Sequence, residues 1–242
     1  MSSTTSSSDE EPNPRPLIIR PLSIQCGGHG LEGGDPILKK EDGTLLKPLQ
    51  PPPNGPREAK FYQDINQSNH PTDQMMKDII PKFYGLESIK DATTGTAADY
   101  LHLQDVTEGF ELPTVMDVKV GRQTWDPNAS EKKILADSKR YAGTKGPFGF
   151  SICGLTVHAL DPENPVQVEK YDKSFGRNLK TQDVGIIPHV FFARTQPPVP
   201  LIQVIIDKLS AIRDIYDAQR KYKIYSSSLL LSYDAGAVRK FM

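Results

Sequence analysis

The order of β-like and helix-like segments is the feature that most restricts what this chain can fold into. β-like runs at Leu22–Cys26, Pro36–Lys39 and Thr44–Leu49 come before one helix, which begins near Pro56 and continues through Tyr62. Further β-like runs lie at Tyr100–Val106, Pro113–Lys119, Phe148–His158 and Tyr225–Tyr233, Ser130 can cap a helix that ends near Tyr141, and apolar spacing predicts a helix from Leu201 to Tyr216. Strands with one helix, followed by strands with several helices, predict an α+β protein of two lobes with a cleft between them.

Composition sets the outer limits of this interpretation. The first eight of the 242 residues include seven Ser or Thr, so we expect a disordered tail at 1–16, an N-lobe at 17–106 and a C-lobe at 107–242. The net charge of −1 argues against direct nucleic-acid binding, and no apolar run is long enough to span a membrane. Two cysteines cannot make a disulfide framework or a four-cysteine zinc site, which favours the cytoplasm or nucleus. We expect a monomer.

Lys47 and Glu58 are the first residues that could carry chemistry. Lys47 lies on a predicted strand after a glycine-rich segment, and Glu58 lies on the next predicted helix. Two-lobed kinases cover the ATP phosphates with a glycine-rich loop, neutralise them with a strand lysine and align that lysine with a helix glutamate. The glycines here fit neither the GxxxxGK[ST] nor the GxGxxG spacing closely. An exposed strand lysine and an unrelated surface glutamate would be indistinguishable in sequence. Both the kinase-like pair and two independent surface residues therefore stay open.

The segment Pro113–Gly121, with the sequence PTVMDVKVG, is less common. Asp117 and Lys119 are two positions apart on a predicted strand, so their side chains share one face while Val118 and Val120 face the other. An acid and a base at a strand end suit the handling of a sugar hydroxyl and a phosphate. A structural ion pair on an exposed sheet face explains the same spacing.

These residues also carry a resemblance. PTVMDVKVG resembles the PxxxDxKxG signature of the inositol polyphosphate kinase family, and the SSLL at 227–230 resembles a second signature of that family. The block from Gly43 to Glu58, GTLLKPLQPPPNGPRE, is similar to the inositol polyphosphate multikinase branch. The resemblance implies a two-lobed fold like that of protein kinases and SAICAR synthase, with an ATP cleft between the lobes. It implies an enzyme that uses Mg²⁺ and transfers the ATP γ-phosphate to hydroxyls of soluble inositol tris- or tetrakisphosphates.

The resemblance also implies roles for individual residues. Lys47, with Glu58 as its partner, matches the lysine that contacts the ATP phosphates, and Gln104 and Val106 match the hinge whose backbone binds adenine. Asp117 matches the acid that holds the ribose, and Lys119 matches the lysine between the transferred phosphoryl group and the inositol. On the helix from Ser130 to Arg140, Lys133 and then Arg140 are the expected inositol-phosphate ligands. Asp137 is a departure, because the family often has glutamine there.

The C-terminal part departs further from the family. No IDF triplet follows Ser228, and the chain ends at Met242. The family's metal aspartate is therefore expected to be absent, which leaves the metal ligands unknown, with Ser228 as a possible helper. Asp234 is not expected to replace the missing ligand. The alternative function is a truncated, catalytically weak family member that binds inositol phosphates or a protein partner as a scaffold.

Overall fold

The fold consists of two antiparallel β-sheets with helices packed against them. The computed structural model describes residues 19–26, 35–90, 95–159, 166–193 and 199–239, so the predicted tail and the glycine-rich loop lie outside the described residues. The first sheet has the order β1-β2-β3-β5-β4, with β1 (Ile19–Pro21), β2 (Leu38–Lys40), β3 (Thr44–Pro48), β4 (Phe83–Lys90) and β5 (Ala97–Gln104). The second has the order β8-β7-β6-β9, with β6 (Pro113–Val120), β7 (Phe150–Ala159), β8 (Gln167–Tyr171) and β9 (Ser228–Asp234).

Eight α-helices lie in the described ranges. They are α1 (Asn54–Gln67), α2 (Pro71–Lys77), α3 (Glu131–Lys139), α4 (Lys145–Phe148), α5 (Lys173–Asn178), α6 (Ile186–Phe191), α7 (Val199–Ala218) and α8 (Ala235–Arg239). In the part of the chain that the structure describes, none of these helices is both long enough and apolar enough to cross a bilayer.

The predicted strand at Leu22–Cys26 is wrong. The strand β1 ends at Pro21, and one further backbone hydrogen bond follows, from Leu22 N–H to the Ile37 carbonyl (2.8 Å). The Ile37 N–H then donates to the Gln25 side chain (3.1 Å) instead of a backbone carbonyl. The Ser23 carbonyl instead accepts a hydrogen bond from Lys170 Nζ (2.9 Å), which ties the segment to β8 of the second sheet. Side-chain contacts therefore override its β propensity.

The first sheet buries one face against α1. Leu101 and Leu103 of β5 form a cluster with Ala59 and Tyr62 of α1. Ala59 and Tyr62 are three positions apart, so both lie on one face of the helix. Because Lys47 is directly opposite Leu101 in the β3–β5 register, its side chain stands on the same face of the sheet as this cluster.

The second sheet divides its two faces between core and site. Met116 and Val118 of β6 join a large core with residues of β7, β9 and α6, which include Ile152, Leu155, Val157, Tyr233 and Phe191. Asp117 and Lys119 alternate with these core residues, so they stand on the opposite face of β6. The hydrophobic pattern of this strand therefore determines which face carries the charged side chains.

The predicted amphipathic helix near Leu201 is α7. Its N-terminal part packs against the core of the second sheet through Leu201, Ile202 and Ile205. Ile215, near its C-terminal end, packs in a separate cluster with Ile65 of α1 and Met76 of α2. The helix thereby connects the core of the second sheet to the helices that accompany the first.

Candidate active site

Lys47 and Glu58 form a direct ion pair. The strand β3 places Lys47 on the face against which α1 packs, and the distance from Lys47 Nζ to Glu58 Oε1 is 2.6 Å. The two side chains are 34% and 25% exposed, so the pair is reached by solvent from one side. The structure thus brings together the lysine and glutamate that the sequence singled out, rather than leaving them independently solvated.

The predicted hinge is held by a buried carboxylate. Asp105 Oδ1 accepts hydrogen bonds from Thr107 N–H (2.8 Å) and the Thr107 hydroxyl (2.6 Å), and Asp105 Oδ2 lies 2.9 Å from Lys39 Nζ of β2. The same ammonium also pairs with Glu108. The Asp105 side chain is only 3% exposed, so these bonds fix the backbone at this point. We call Lys39, Asp105 and Thr107 the hinge clasp.

The hinge residues on either side of Asp105 differ in what they can offer. The Gln104 N–H already donates to the Lys82 carbonyl (2.9 Å), and the Gln104 side chain accepts from Lys82 N–H (3.3 Å). The N–H of Val106 has no hydrogen-bond partner among the described residues, and the residue is 37% exposed. Val106 can therefore donate its N–H to a ligand, whereas Gln104 cannot.

Asp117 and Lys119 share a face of β6 but do not form an ion pair with each other. Asp117 Oδ1 is buried and has no hydrogen-bond partner within the described residues. Lys119 Nζ donates to the hydroxyl of Ser226 (2.9 Å), and no described carboxylate pairs with it. The interpretation as a structural ion pair is therefore wrong. Lys119 is directly opposite Ser228 in the β6–β9 register, so the two side chains lie on the same face of the sheet.

A glycine in β7 lets the segment before the glycine-rich loop approach Asp117. Gly154 is opposite Asp117, and a Cβ at this position would lie 1.6 Å from the Cys26 carbonyl oxygen, so only glycine fits. Burial, followed by the Asp117 charge, raises the pKa of the Cys26 thiol to about 12. Cys26 is therefore a neutral packing residue, not a nucleophile.

The two expected substrate ligands are Lys133 on α3 and Arg140, the C-cap residue of that helix. Ser130 caps it, accepting a hydrogen bond from Lys133 N–H (3.3 Å), and the Lys133 side chain is exposed. Arg140 Nη1 lies 3.3 Å from Asp137 Oδ1. The acid that departs from the family pattern is thus neutralised by its own neighbour. Arg140 keeps further N–H donors for a ligand.

Sequence analysis missed one buried cation next to these residues. Lys145, the first residue of α4, is 4% exposed, and its ammonium donates to the Asp137 carbonyl and to Thr124 Oγ1 (3.3 Å). The segment KGPF contains a glycine and a proline, so no helical periodicity marks it. The sequence therefore gives no indication that Lys145 is buried.

Asp234 has a structural role. Its carboxylate accepts hydrogen bonds from the N–H groups of Leu112 (2.9 Å), Glu111 (3.1 Å) and Gly236 (2.9 Å). Burial alone would raise the pKa of Asp234, but these donors hold it below its usual value. Across the described ranges, no group of three or more His, Cys, Asp or Glu is arranged to hold a metal.

The chain is similar in sequence to a known family of kinases. The family model described as inositol polyphosphate kinase matches residues 100–240, which include the hinge, β6, α3 and β9. The chain belongs to the inositol polyphosphate kinase family. Within that family it is 34% identical to the mouse inositol polyphosphate multikinase over 239 residues, which is 96% of this chain and 58% of the mouse protein. It is 32% identical to the human multikinase over 222 residues, which is 90% of this chain and 51% of the human protein.

The fold agrees with a solved member of the family. The crystal structure of an inositol phosphate multikinase from S. cerevisiae, in complex with ADP and Mn²⁺, superposes with a TM-score of 0.64 at 21% identity and covers 81% of this chain and 76% of that chain. The predicted α+β kinase-like fold and the resemblance to the multikinase branch are confirmed. The chain spans a little over half the length of the mouse and human relatives.

Proposed function

We propose that this chain is an ATP-dependent kinase that transfers the γ-phosphate of ATP to a hydroxyl of a soluble inositol tris- or tetrakisphosphate. The observation that carries the proposal is the state of Lys119, whose ammonium is bound by the neutral Ser226 hydroxyl and by no described carboxylate. A lysine without an anionic partner is available to neutralise phosphate oxygens. Family membership and the likeness to multikinases support the same chemistry.

In this proposal the N-terminal sheet and the hinge bind the nucleotide. Residues 17–106 and 107–242 would form two lobes after a tail at 1–16, with ATP between them. The Lys47 ammonium, oriented by Glu58, would contact the ATP phosphates, and the partnerless Val106 N–H would donate to adenine. Because its N–H is already bonded to Lys82, Gln104 would contribute through its carbonyl oxygen.

The strand β6 would supply the reacting centre. Phosphoryl transfer depends mainly on positioning and charge neutralisation, since the protein forms no covalent bond to the phosphoryl group. The partly buried Asp117 carboxylate, whose Oδ1 atom has no described partner, would accept a hydrogen bond from the nucleotide ribose, and Lys119 would lie between the phosphoryl group and the inositol. Mg²⁺, when bound with ATP, supplies charge that offsets the triphosphate. Ser228, opposite Lys119 in the β6–β9 register, is the described residue that we propose as a metal helper.

Lys133 on α3 and Arg140 at its C-cap would bind the phosphates already on the inositol ring. Both side chains are exposed, and Arg140 uses only part of its guanidinium on Asp137. Cys26 and Cys153 are both unpaired and buried, which suits the reducing cytoplasm or nucleus.

The test is a transfer assay with ATP, Mg²⁺ and an inositol tris- or tetrakisphosphate, with the products separated by anion-exchange chromatography. We expect a more highly phosphorylated product. Lys119→Ala should lower kcat by about 10²–10³-fold while ATP affinity is kept, because one preorganised charge at the reacting oxygens is lost. Asp117→Asn should weaken both ATP binding and turnover. The matched control is Lys208→Ala on α7. Lys208 is exposed and forms no ion pair within the described residues.

Two outcomes oppose the proposal. Equal and mild effects of Lys119→Ala and Asp117→Asn would remove both residues from the reacting centre. Tight inositol-phosphate binding without any turnover would favour the scaffold alternative.

A further inference from the structure

The proposed substrate ligands are Lys133 on α3 and its C-cap residue Arg140, but none of the nine residues of α3 is buried. Of its two large aliphatic side chains, Leu135 is 58% exposed and Ile134 is only partly buried. A surface helix is ordinarily held by an apolar stripe against the core, and a helix this short is marginal without tertiary contacts. With so little apolar burial, polar contacts at the ends of α3 are needed to hold it in place.

Lys145 makes that contact at the C-terminal end of α3. Its ammonium donates to the carbonyl of Asp137, one of the last four carbonyls of the helix, which lack a partner within the helix. A cation at this end is also favoured by the helix dipole. The same ammonium donates to Thr124 Oγ1 (3.3 Å) and lies 5.8 Å from the ring centre of Trp125, in the loop after β6.

The charges of both parts of the proposed substrate site act on Lys145. Burial lowers the pKa of Lys145, Asp137 opposes this shift, and the positive charges of Arg140 and Lys119 lower the pKa further. Lys145 therefore lies within electrostatic reach of both Arg140, the C-cap of α3, and Lys119 on β6. At 4% exposure, however, it does not itself reach a ligand.

The short helix α4 is in turn attached to β6. Arg122, which directly follows the PxxxDxKxG segment, donates from Nε to the Gly146 carbonyl (2.9 Å) and from Nη2 to the Pro147 carbonyl (3.2 Å). The Gly121 N–H donates to the Gly149 carbonyl (2.7 Å). Arg122 thus connects β6 to α4, and Lys145 connects α4 to α3.

We propose that Lys145 is a positioning residue that fixes α3 relative to β6, so that Lys133, Arg140 and Lys119 bind one phosphorylated substrate together. The inference rests on the proposed function for its substrate, but the position of α3 can be measured without turnover. Arg122 assists by fixing α4. Neither residue is required to touch the reacting atoms.

The experiment compares Lys145→Met with the parent chain by amide hydrogen exchange and by steady-state kinetics. We expect the α3 amides to exchange about tenfold faster, with the β7 amides unchanged, because only the local opening of α3 becomes easier. The KM for the inositol phosphate should rise by about 10- to 100-fold, since the ligands on α3 are misplaced. The KM for ATP and the kcat at saturating substrate should stay within about twofold, as for a substitution away from the nucleotide and the reacting atoms.

Three further variants keep the result interpretable. Lys145→Arg retains the charge and the donors, and should restore most of the substrate affinity. Arg122→Met loosens α4 from an exposed position and should give the same separation of KM from kcat, even if Lys145→Met does not fold. Lys208→Met removes an exposed lysine on α7 and should change neither measurement.

The outcomes separate this inference from the proposed function. If the parent chain turns over no inositol phosphate, the proposed function fails, while exchange in α3 still decides the role of Lys145. Unchanged α3 exchange in a folded Lys145→Met variant overturns the inference. Faster exchange without a rise in the substrate KM also overturns it, as does a loss confined to kcat.

Discussion

At the scale of single residues, the Lys47–Glu58 pair offers a direct test of the proposed nucleotide site. We expect Lys47→Ala to weaken ATP binding by about 10- to 100-fold, because a charge-assisted contact to phosphate contributes roughly 1.5–3 kcal/mol. The melting temperature should change little, because a partly exposed ion pair contributes only about 0–1 kcal/mol to stability. Isothermal titration calorimetry and thermal unfolding measure the two effects separately.

Lys60→Ala is the matched control for this variant. It removes a lysine from an exposed pair with Asp64 on α1, the helix that carries Glu58, and should leave ATP affinity unchanged. A large fall in melting temperature with unchanged ATP affinity in Lys47→Ala would make Lys47 a structural residue and remove it from the site.

The candidate site was predictable where local spacing determined it. The two-residue period of a strand placed Asp117 and Lys119 on one face, and a short connection linked Lys47 to Glu58. The sequence could not exclude an ion pair between Asp117 and Lys119. That exclusion depends on Ser226, a partner 107 residues away that reaches Lys119 only because β9 pairs with β6.

At the scale of elements, the hinge clasp is predicted to preorganise the nucleotide site. Lys39→Met leaves the buried Asp105 carboxylate without its cation, so we expect the hinge backbone to move and ATP affinity to fall by about 5- to 20-fold, from the loss of one charge-assisted bond. Lys40→Met is the control, since Lys40 is the next residue of β2 and pairs with Glu87 of β4 instead of the hinge. Calorimetric titration with ATP should separate the two variants, and equal losses would assign the effect to the sheet as a whole.

Elements with a long periodic pattern were predictable, and those determined by tertiary contacts were not. The helix α7 and the strand β7 follow their apolar patterns over 20 and 10 residues. By contrast, Leu22–Cys26 has β propensity but is held by two side-chain hydrogen bonds. The Gln25 side chain accepts from Ile37 N–H, and Lys170 donates to the Ser23 carbonyl. The helix α4 has four residues with no pattern, and its importance comes from the buried ammonium of Lys145.

At the scale of the whole molecule, α1 and α2 are attached to α7, the helix that packs against the second sheet. Ile215 of α7 packs with Ile65 and Met76, and three residues after the end of α7 Lys221 reaches back to α2. Lys221 Nζ lies 2.8 Å from Asp73 Oδ2, across 148 residues of sequence. The Asp73 side chain is 2% exposed, whereas Lys221 is 53% exposed. The buried partner is therefore the carboxylate.

This contact predicts a specific dependence of stability on pH. Burial alone would raise the pKa of Asp73, but the Lys221 ammonium, together with Ser68 and the charge of His70, holds the pKa below its usual value. The stabilisation is therefore fully present above the unfolded-state pKa near 3.9, and is lost as pH falls through the lower folded-state value.

At pH 7, Asp73→Asn should reduce the free energy of unfolding by about 1–3 kcal/mol, less than for a fully buried pair because Lys221 can be solvated. Urea unfolding between pH 2.5 and 7 should show this difference shrinking below about pH 4. The control Asp64→Asn should cost less than about 0.5 kcal/mol at pH 7, and an Asp73→Asn deficit that stays constant into acid would refute the assignment of the stabilisation to the charged pair.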